Sequence, residues 1–296
     1  MTLAVLALLS PTAALAEVAA TDTASPEITG SVAPAEPPYD QRAFVTRPGS
    51  EAIELAARLR EGGGLITLPI SWRLYRLIGT AAGGEEIFRA DEPQANVAVP
   101  PGDYRVDIEY GFARFSRLVT LEAERRLSLV FNLNTGAIRV LSRIAVQPPV
   151  SGFTTVHRLF ALSGQNRARL VAEGARPGEM LRLPAGKYRI ESGLSPGNVV
   201  AQADVEVKAG VLSAVEVDHQ AGIVRLAVAD RQAEGDNFIW QVADAKGRIA
   251  AEARGASLNV VLSPGHYHVL ASAGGTALMS EFSVAAGKSF EVILGR

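Results

Sequence analysis

Few side chains in this sequence could do chemistry, and the histidines come first. The chain has four histidines and no cysteine. Only His266 and His268 stand two residues apart, a spacing that puts both side chains on one face of a strand. Two imidazoles could share a metal ion there, but a third ligand would be needed and the sequence offers no obvious one. Because both flank Tyr267 in a predicted strand, we expect these histidines to point to solvent.

Other chemical motifs find little support. Residues 285–289 read AAGKS and resemble the end of a phosphate-binding loop, but Phe282 stands where that loop needs its first glycine. A chain without cysteine forms no disulfide and has no thiolate zinc site, iron–sulfur cluster or cysteine nucleophile. We therefore predict no catalytic residues, no cofactor-binding residues and no metal ligands, and we interpret the chain as a non-enzyme.

The composition is that of a folded protein with a small net charge. Of the 296 residues, 48% are apolar, which is enough to build two or three ordinary domains. The chain has 29 Lys and Arg against 31 Asp and Glu, a formal net charge of −2. A basic excess that would draw the chain to phosphate backbones is missing, so nucleic acid is not an expected partner.

A turn motif repeats three times along the chain. It runs apolar-x-apolar, then Pro or Ser, Pro or Ala, Gly, any residue, Tyr, any residue, apolar, and it occurs around Tyr104, Tyr188 and Tyr267 as VAVPPGDYRV, LRLPAGKYRI and VVLSPGHYHV. Opening segments at Ile53, Ile138 and Val224 recur in the same order. Alternating apolar residues on both sides of the turn predict strands with one buried face. We expect each tyrosine ring to point inward and its hydroxyl to bond to nearby backbone.

In each copy, a strand with an aromatic residue lies between the opening segment and the turn motif. Trp72, His157 and Trp240 align with one another in SWRLYRL, VHRLFAL and IWQVADA. Exposed indole rings could form a stacking platform for sugars. Equivalent positions on equivalent strands favour a core residue instead, as in immunoglobulin-like sandwiches.

These patterns predict an all-β protein: three tandem antiparallel immunoglobulin- or transthyretin-like β-sandwiches after a signal peptide and a disordered linker. Residues 1–16, MTLAVLALLSPTAALA, end in the A-x-A pattern of a signal peptidase site, although no Lys or Arg precedes the apolar run. Residues 17–48 contain five prolines and few bulky apolar residues, which is typical of a disordered linker. The predicted domains are 1–16 signal peptide, 17–48 Pro/Ala-rich linker, and sandwich repeats 49–134, 135–220 and 221–296.

The turn segment LPAGKYRI resembles the LPxGxYxV signature of bacterial transthyretin-like, carboxypeptidase-regulatory-like and Cna-B-like sandwich modules. The order of the repeated marks is also similar to arrays attached to exported bacterial proteins with von Willebrand factor A domains, although this chain contains no such domain. The resemblance implies an adhesive, scaffolding or accessory role. The isopeptide crosslink of some Cna-B-like modules needs a lysine, and the first repeat has none.

The resulting hypothesis is a non-catalytic binding or scaffolding protein, periplasmic or secreted in a bacterium. We expect a protein or a cell-envelope polymer as its partner, and no membrane span after signal cleavage. The alternative is a carbohydrate-binding protein or an accessory subunit of an enzyme that acts on polysaccharide. The ligand and the oligomeric state do not follow from the sequence.

Overall fold

The computed structural model describes residues 39–78, 84–144, 153–163, 167–229 and 237–295. Within these ranges the chain forms β-strands and no helix, so the predicted all-β class is confirmed. No described segment is a helix that is long and apolar enough to cross a membrane. The strands follow the alternation of apolar residues because every second side chain reaches the interior.

The first sandwich contains eight strands. They are β1 (Tyr39–Val45), β2 (Ala52–Arg58), β3 (Ile70–Arg76), β4 (Glu85–Glu92), β5 (Ala95–Ala98), β6 (Gly102–Tyr110), β7 (Ala113–Leu121) and β8 (Arg125–Asn132). One sheet has the order β1-β8-β2-β5 and the other the order β4-β3-β6-β7. The core between them includes the fully buried Trp72 and Phe131.

The second sandwich repeats this plan without an equivalent of β1. Its strands are β9 (Thr135–Ile144), β10 (Thr154–Ser163), β11 (Arg167–Ala175), β12 (Met180–Pro184), β13 (Gly186–Ser195), β14 (Val199–Val207) and β15 (Leu212–His219). They form sheets β12-β9-β15 and β11-β10-β13-β14. The core lies between these two sheets.

The third sandwich has the same plan as the second. Its strands are β16 (Gly222–Val228), β17 (Phe238–Asp244), β18 (Ile249–Gly255), β19 (Leu258–Leu262), β20 (Gly265–Ala273), β21 (Thr276–Val284) and β22 (Ser289–Leu294). They form sheets β19-β16-β22 and β18-β17-β20-β21. Strand pairs are antiparallel except for one parallel pair in each sandwich: β2 with β8, β9 with β15, and β16 with β22.

The repeated tyrosines form the corner that the turn motif predicts. The hydroxyl of Tyr104 donates to the carbonyl oxygen of Pro100. Tyr188 donates to Pro184 and Tyr267 to Ser263, each over 2.8 Å. In each sandwich the acceptor lies four residues before the tyrosine, and the ring is buried. The same corner therefore joins the two sheets of every sandwich.

Strand β1 departs from the predicted linker of residues 17–48. It pairs antiparallel with β8, from Tyr39 opposite Phe131 to Val45 opposite Arg125. The Tyr39 ring stacks on Phe131 with centroids 5.8 Å apart, and the guanidinium of Arg117 lies 4.4 Å from the Tyr39 ring centroid. One aromatic anchor and a ladder of backbone hydrogen bonds thus order a segment with little apolar content.

The predicted signal peptide and most of the predicted linker, residues 1–38, lie outside the described residues. Every described sheet takes its strands from within 39–132, 135–219 or 222–294. The predicted boundaries after residues 134 and 220 fall between these ranges. The division of the chain into these three domains stays a prediction.

The corner tyrosine is expected to carry much of the stability of the middle sandwich. Tyr188→Ala removes a ring that is 4% exposed and leaves the Pro184 carbonyl without its partner. We expect a loss of about 3 kcal/mol or more in the free energy of unfolding. Thermal melts of the full chain measure it, with Arg169→Ala at an exposed position as the control. A loss no larger than that of the control would contradict the role of the corner.

Candidate functional site: the joints between sandwiches

The first joint connects the first sandwich to the second through a hairpin turn. Gly111 lies in the turn between β6 and β7, with φ +65°. The backbone N–H of Phe112, in the same turn, donates to the carbonyl oxygen of Arg182 in β12 over 2.9 Å. A Cβ atom on Gly111 would lie 2.7 Å from the Cβ of Arg182, so the close approach requires glycine. The Arg182 guanidinium also lies 5.0 Å from the Tyr110 ring centroid, a cation–π contact.

The second joint uses the corresponding turn of the second sandwich, residues 195–198 between β13 and β14. The backbone N–H of Val261 in β19 donates to the carbonyl oxygen of Pro196 over 3.0 Å. A Cβ on Gly197 would lie only 1.8 Å from the Val261 carbonyl oxygen. Asn198 adds two side-chain bonds: its Nδ2 donates to the Tyr267 hydroxyl, and its Oδ1 accepts from the Ser263 N–H, each over 3.0 Å.

The two joints are built at equivalent positions. Arg182 stands six residues before the corner tyrosine of its sandwich, Tyr188, and Val261 stands six residues before Tyr267. At both joints the turn that follows a corner strand docks on this position of the next sandwich. The second joint also has an apolar cluster that includes Leu194, Val199, Ala221, Ile223 and Val261. The same kind of contact thus joins the first sandwich to the second and the second to the third.

A groove opens beside the first joint. It has a volume of about 510 Å³ and is lined by Leu68, Pro69, Ser71, Arg73, Asp91, Glu109, Tyr110, Gly111 and Arg182. Ser71 lies opposite Asp91 on β4 and opposite Glu109 on β6, so the two carboxylates flank it on neighbouring strands. Arg73 and Arg182 bring positive charge to the same groove. The groove is therefore suited to a polar partner that carries both signs of charge.

The tryptophans lie in the core, as their alignment predicts. Trp72 and Trp240 are both 0% exposed. The indole N–H of Trp72 donates to the Glu92 carbonyl oxygen over 2.9 Å, and that of Trp240 donates to the Gly255 carbonyl oxygen over 2.8 Å. Neither ring presents a face to solvent. The hypothesis that these two tryptophans form a stacking platform for sugars is therefore wrong.

The histidine pair and the AAGKS segment, considered above as a metal site and a phosphate-binding loop, lie in a strand and in a turn. His266 and His268 are exposed, with His266 bonded to Ser283 and His268 beside Glu281. Among the described residues, no group of three or more His, Asp or Glu side chains is placed to hold a metal ion. The AAGKS segment forms the turn from β21 to β22, where the Gly287 N–H donates to the Ala221 carbonyl oxygen. It is a structural turn.

One motif was missed in the sequence. Residues 193–197 read Gly-Leu-Ser-Pro-Gly, which matches the G-x-S-x-G spacing of a hydrolase nucleophile. That motif requires a strand–turn–helix context, whereas Ser195 ends a strand in a β-hairpin. Among the described residues, no histidine or carboxylate is bonded to its side chain. The glycine and proline of this segment serve the second joint instead.

A buried polar cluster beside the second joint was also missed. His157 is 0% exposed, and neither ring nitrogen has a hydrogen-bond partner among the described residues. Its strand neighbour Ser192 is also fully buried. His219 lies next to both, with Nδ1 3.3 Å from the Arg143 carbonyl oxygen and Nε2 3.1 Å from the Ser192 carbonyl oxygen. A neutral imidazole has one N–H and can donate to only one of these two acceptors.

The family comparison matches one part of the chain. Residues 225–294 match the model of the Rhizobiales growth-associated tandem repeat domain. This range lies within the predicted third repeat and covers most of the third sandwich. The match supports the tandem-repeat interpretation. No curated protein matches the chain.

Solved structures resemble the chain only weakly. The Bacillus anthracis TIE protein is 12% identical with a TM-score of 0.24, and the match covers 91% of this chain and 59% of that one. A streptococcal ancillary pilin is 12% identical with a TM-score of 0.29, covering 83% and 98%. The shaft pilin SpaA of Lactobacillus rhamnosus GG is 7% identical with a TM-score of 0.30, covering 55% and 97%. The chain thus spans about three fifths of the TIE protein.

The middle sandwich is expected to lose stability in mild acid. Burial lowers the pKa of His157 below the ordinary histidine value of about 6.5, and neighbouring His219 lowers it further. Below about pH 6.5 the unfolded chain then binds a proton that the folded chain rejects. The stabilisation is therefore complete above that pH and falls as the pH drops from about 7 to about 5. Melting curves across this range measure the loss.

His157→Leu isolates this contribution because leucine is apolar at every pH. We expect the variant to show a smaller loss of melting temperature between about pH 7 and about pH 5 than the natural chain does. His266→Leu, at an exposed position, is the control and should keep the natural pH dependence. Equal pH dependence in the His157→Leu variant and the natural chain would contradict the assignment.

Proposed function

We propose that the chain is a non-catalytic extracytoplasmic scaffold that holds a binding partner on a stiff array of three sandwiches. The observation that carries the proposal is the repeated joint. Backbone hydrogen bonds at Arg182 and Val261 fix each sandwich to the preceding one. An array held in this way keeps its binding surfaces at fixed spacing, which favours simultaneous contacts with one partner.

The groove beside the first joint is the proposed contact surface. Its wall includes Arg182, which also belongs to the joint, so a stable joint preserves the shape of the groove. The arginines and carboxylates of its wall suit a polar protein segment or a charged polymer of the cell envelope. Pre-formed geometry lowers the entropy lost on binding.

The family description supports a role connected with growth, because it names tandem repeats of this kind as growth-associated in Rhizobiales. Export through the segment 1–16, with cleavage after Ala16, belongs to the same proposal, as does a periplasmic or secreted location. The transthyretin-like character of the modules also remains part of it.

A second candidate is a carbohydrate-binding protein or an accessory subunit of a polysaccharide-acting enzyme. The pair of carboxylates in the groove, Asp91 and Glu109, is the observation that favours it. Acidic side chains often accept hydrogen bonds from sugar hydroxyls. The buried tryptophans weaken this candidate because they provide no stacking surface.

Stiffness can be tested by opening the second joint. Gly197→Ala places a Cβ 1.8 Å from the Val261 carbonyl oxygen and must displace the turn. We expect faster hydrogen exchange at the Val261 amide, which loses its bond to Pro196, with little change inside the cores. Gly193→Ala in the same hairpin is the control, since its Cβ would lie 4.0 Å from the nearest atom, the Val156 carbonyl oxygen. Unchanged exchange in Gly197→Ala would mean that the joint is not held by this contact.

Binding is tested with the full chain immobilised against an extract of cell-envelope proteins and, separately, against purified cell-wall polysaccharide. The scaffold proposal expects a retained protein that is lost with Arg73→Glu in the groove. Arg254→Glu, at an exposed position of the third sandwich, should retain it. Retention on polysaccharide that is lost with Asp91→Asn would favour the second candidate instead.

A further inference from the structure

Three equivalent strands lie at the same place in the three sandwiches. β8, β15 and β22 each run parallel to the opening strand of their sandwich, β2, β9 and β16. The register makes Leu127 on β8 equivalent to Phe290 on β22, and Leu129 equivalent to Val292. In the first sandwich β1 covers the outer side of β8. In the other two, no described strand pairs with the outer side of β15 or β22.

The cover supplied by β1 completes the burial of the core. Leu127 is 2% exposed and Leu129 is 0% exposed beneath it. Phe290 and Val292 occupy the same places on β22 but are only partly buried. Their neighbour Ile293 is 59% exposed. The third sandwich therefore has an edge on which an added strand would bury apolar surface.

The edge of the second sandwich is protected in a different way. Glu216 and Asp218 on β15 are exposed, and both pair with Arg143 on β9 over 3.1 and 2.8 Å. Charges along an edge discourage strand addition. β22 has one charged residue, Glu291, which stands between apolar residues and pairs with Arg225 on β16 over 3.3 Å. Of the three equivalent edges, the one formed by β22 is thus neither covered by a described strand nor charged along its length.

The backbone of β22 presents free hydrogen-bonding groups at alternate residues. The carbonyl oxygens of Lys288 and Leu294 accept from β16, from the N–H groups of Ile223 and Ala229. The backbone N–H and C=O groups of successive strand residues point to opposite sides of the strand. Those of residues 288, 290, 292 and 294 therefore face β16, and those of Ser289, Glu291 and Ile293 face outward. An antiparallel partner strand must bond to these three residues.

We infer that β22 pairs antiparallel with β22 of a second copy of this chain, about a two-fold axis at Val292. In this register Glu291 and Ile293 of the two copies exchange backbone hydrogen bonds, and Phe290 lies opposite Leu294. The two-fold register centred on Glu291 also aligns outward groups, but it places Glu291 against Glu291, which like-charge repulsion disfavours. The pairing joins two three-stranded sheets into one sheet of six strands.

A second copy fits this edge for two reasons that the structure provides. β1 on β8 shows that the equivalent edge of the first sandwich accepts an antiparallel strand without disturbing the sandwich. The sequence Phe-Glu-Val-Ile-Leu is also compatible with its own reversed copy, since apolar residues face apolar residues on the core side. Two-fold pairing of identical surfaces is the commonest form of self-association in soluble proteins.

Sedimentation equilibrium of the full chain over a range of concentrations tests this inference. We expect a monomer–dimer equilibrium for the natural chain. Ile293→Glu should weaken the dimer at least tenfold, because it puts a carboxylate opposite Glu291 of the other copy. Ile293→Lys should hold the dimer at least as tightly as the natural chain, because a cation then faces the same carboxylate.

Ile293→Pro removes an outward N–H that no contact within the sandwich uses, and should abolish the dimer. Its melting temperature should equal that of the natural chain at concentrations where both are monomers. Ile249→Glu, on β18 and 56% exposed, is the control for an added charge elsewhere on the third sandwich. A strictly monomeric natural chain, a dimer that survives Ile293→Pro, or equal effects of the Glu and Lys substitutions at 293 would each overturn the inference.

Discussion

The hydrogen bond from the corner tyrosine to the carbonyl four residues earlier is the constraint on which the other features depend. It fixes the chain where it leaves one sheet and enters the other, because the hydroxyl can reach its acceptor only when the turn has one shape. At Tyr188 and Tyr267, the residue two positions before that acceptor is the one that receives the preceding sandwich. Closing the corner thus also positions Arg182 and Val261 for the joints.

The turns that dock on these positions differ in sequence while reaching the same place. The first joint adds a cation–π contact between Arg182 and Tyr110, whereas the second adds the side chain of Asn198 and an apolar cluster. What they share is a backbone hydrogen bond and a glycine without room for a Cβ. A backbone contact preserves the geometry of the joint while the neighbouring side chains vary. For this reason the repeat motif alone does not predict the joint.

Much of the fold could be predicted because the three repeats give three aligned sequences for most strands. Period-two alternation around the tyrosines and the alignment of Trp72 with Trp240 predicted both the corner and the core position. Strand β1 could not be found in this way, since it has no copy in the other repeats and only Tyr39 anchors it. The joints depend on contacts between residues far apart in sequence, such as Gly197 with Val261, and no local pattern encodes such a distance.

For His157 the alignment of the repeats predicts the position of the side chain but not its hydrogen-bonding state or its pKa. The alignment with two tryptophans placed it in the core, but the consequence of a smaller polar ring there follows only from its neighbours. Filling that place with imidazole leaves two ring nitrogens without partners among the described residues, a cost that an indole bonded through its single N–H avoids. The same cluster includes Ser192, two residues before Leu194 in the apolar cluster of the second joint. A change of charge in this part of the middle sandwich therefore acts next to the contact that holds the third sandwich.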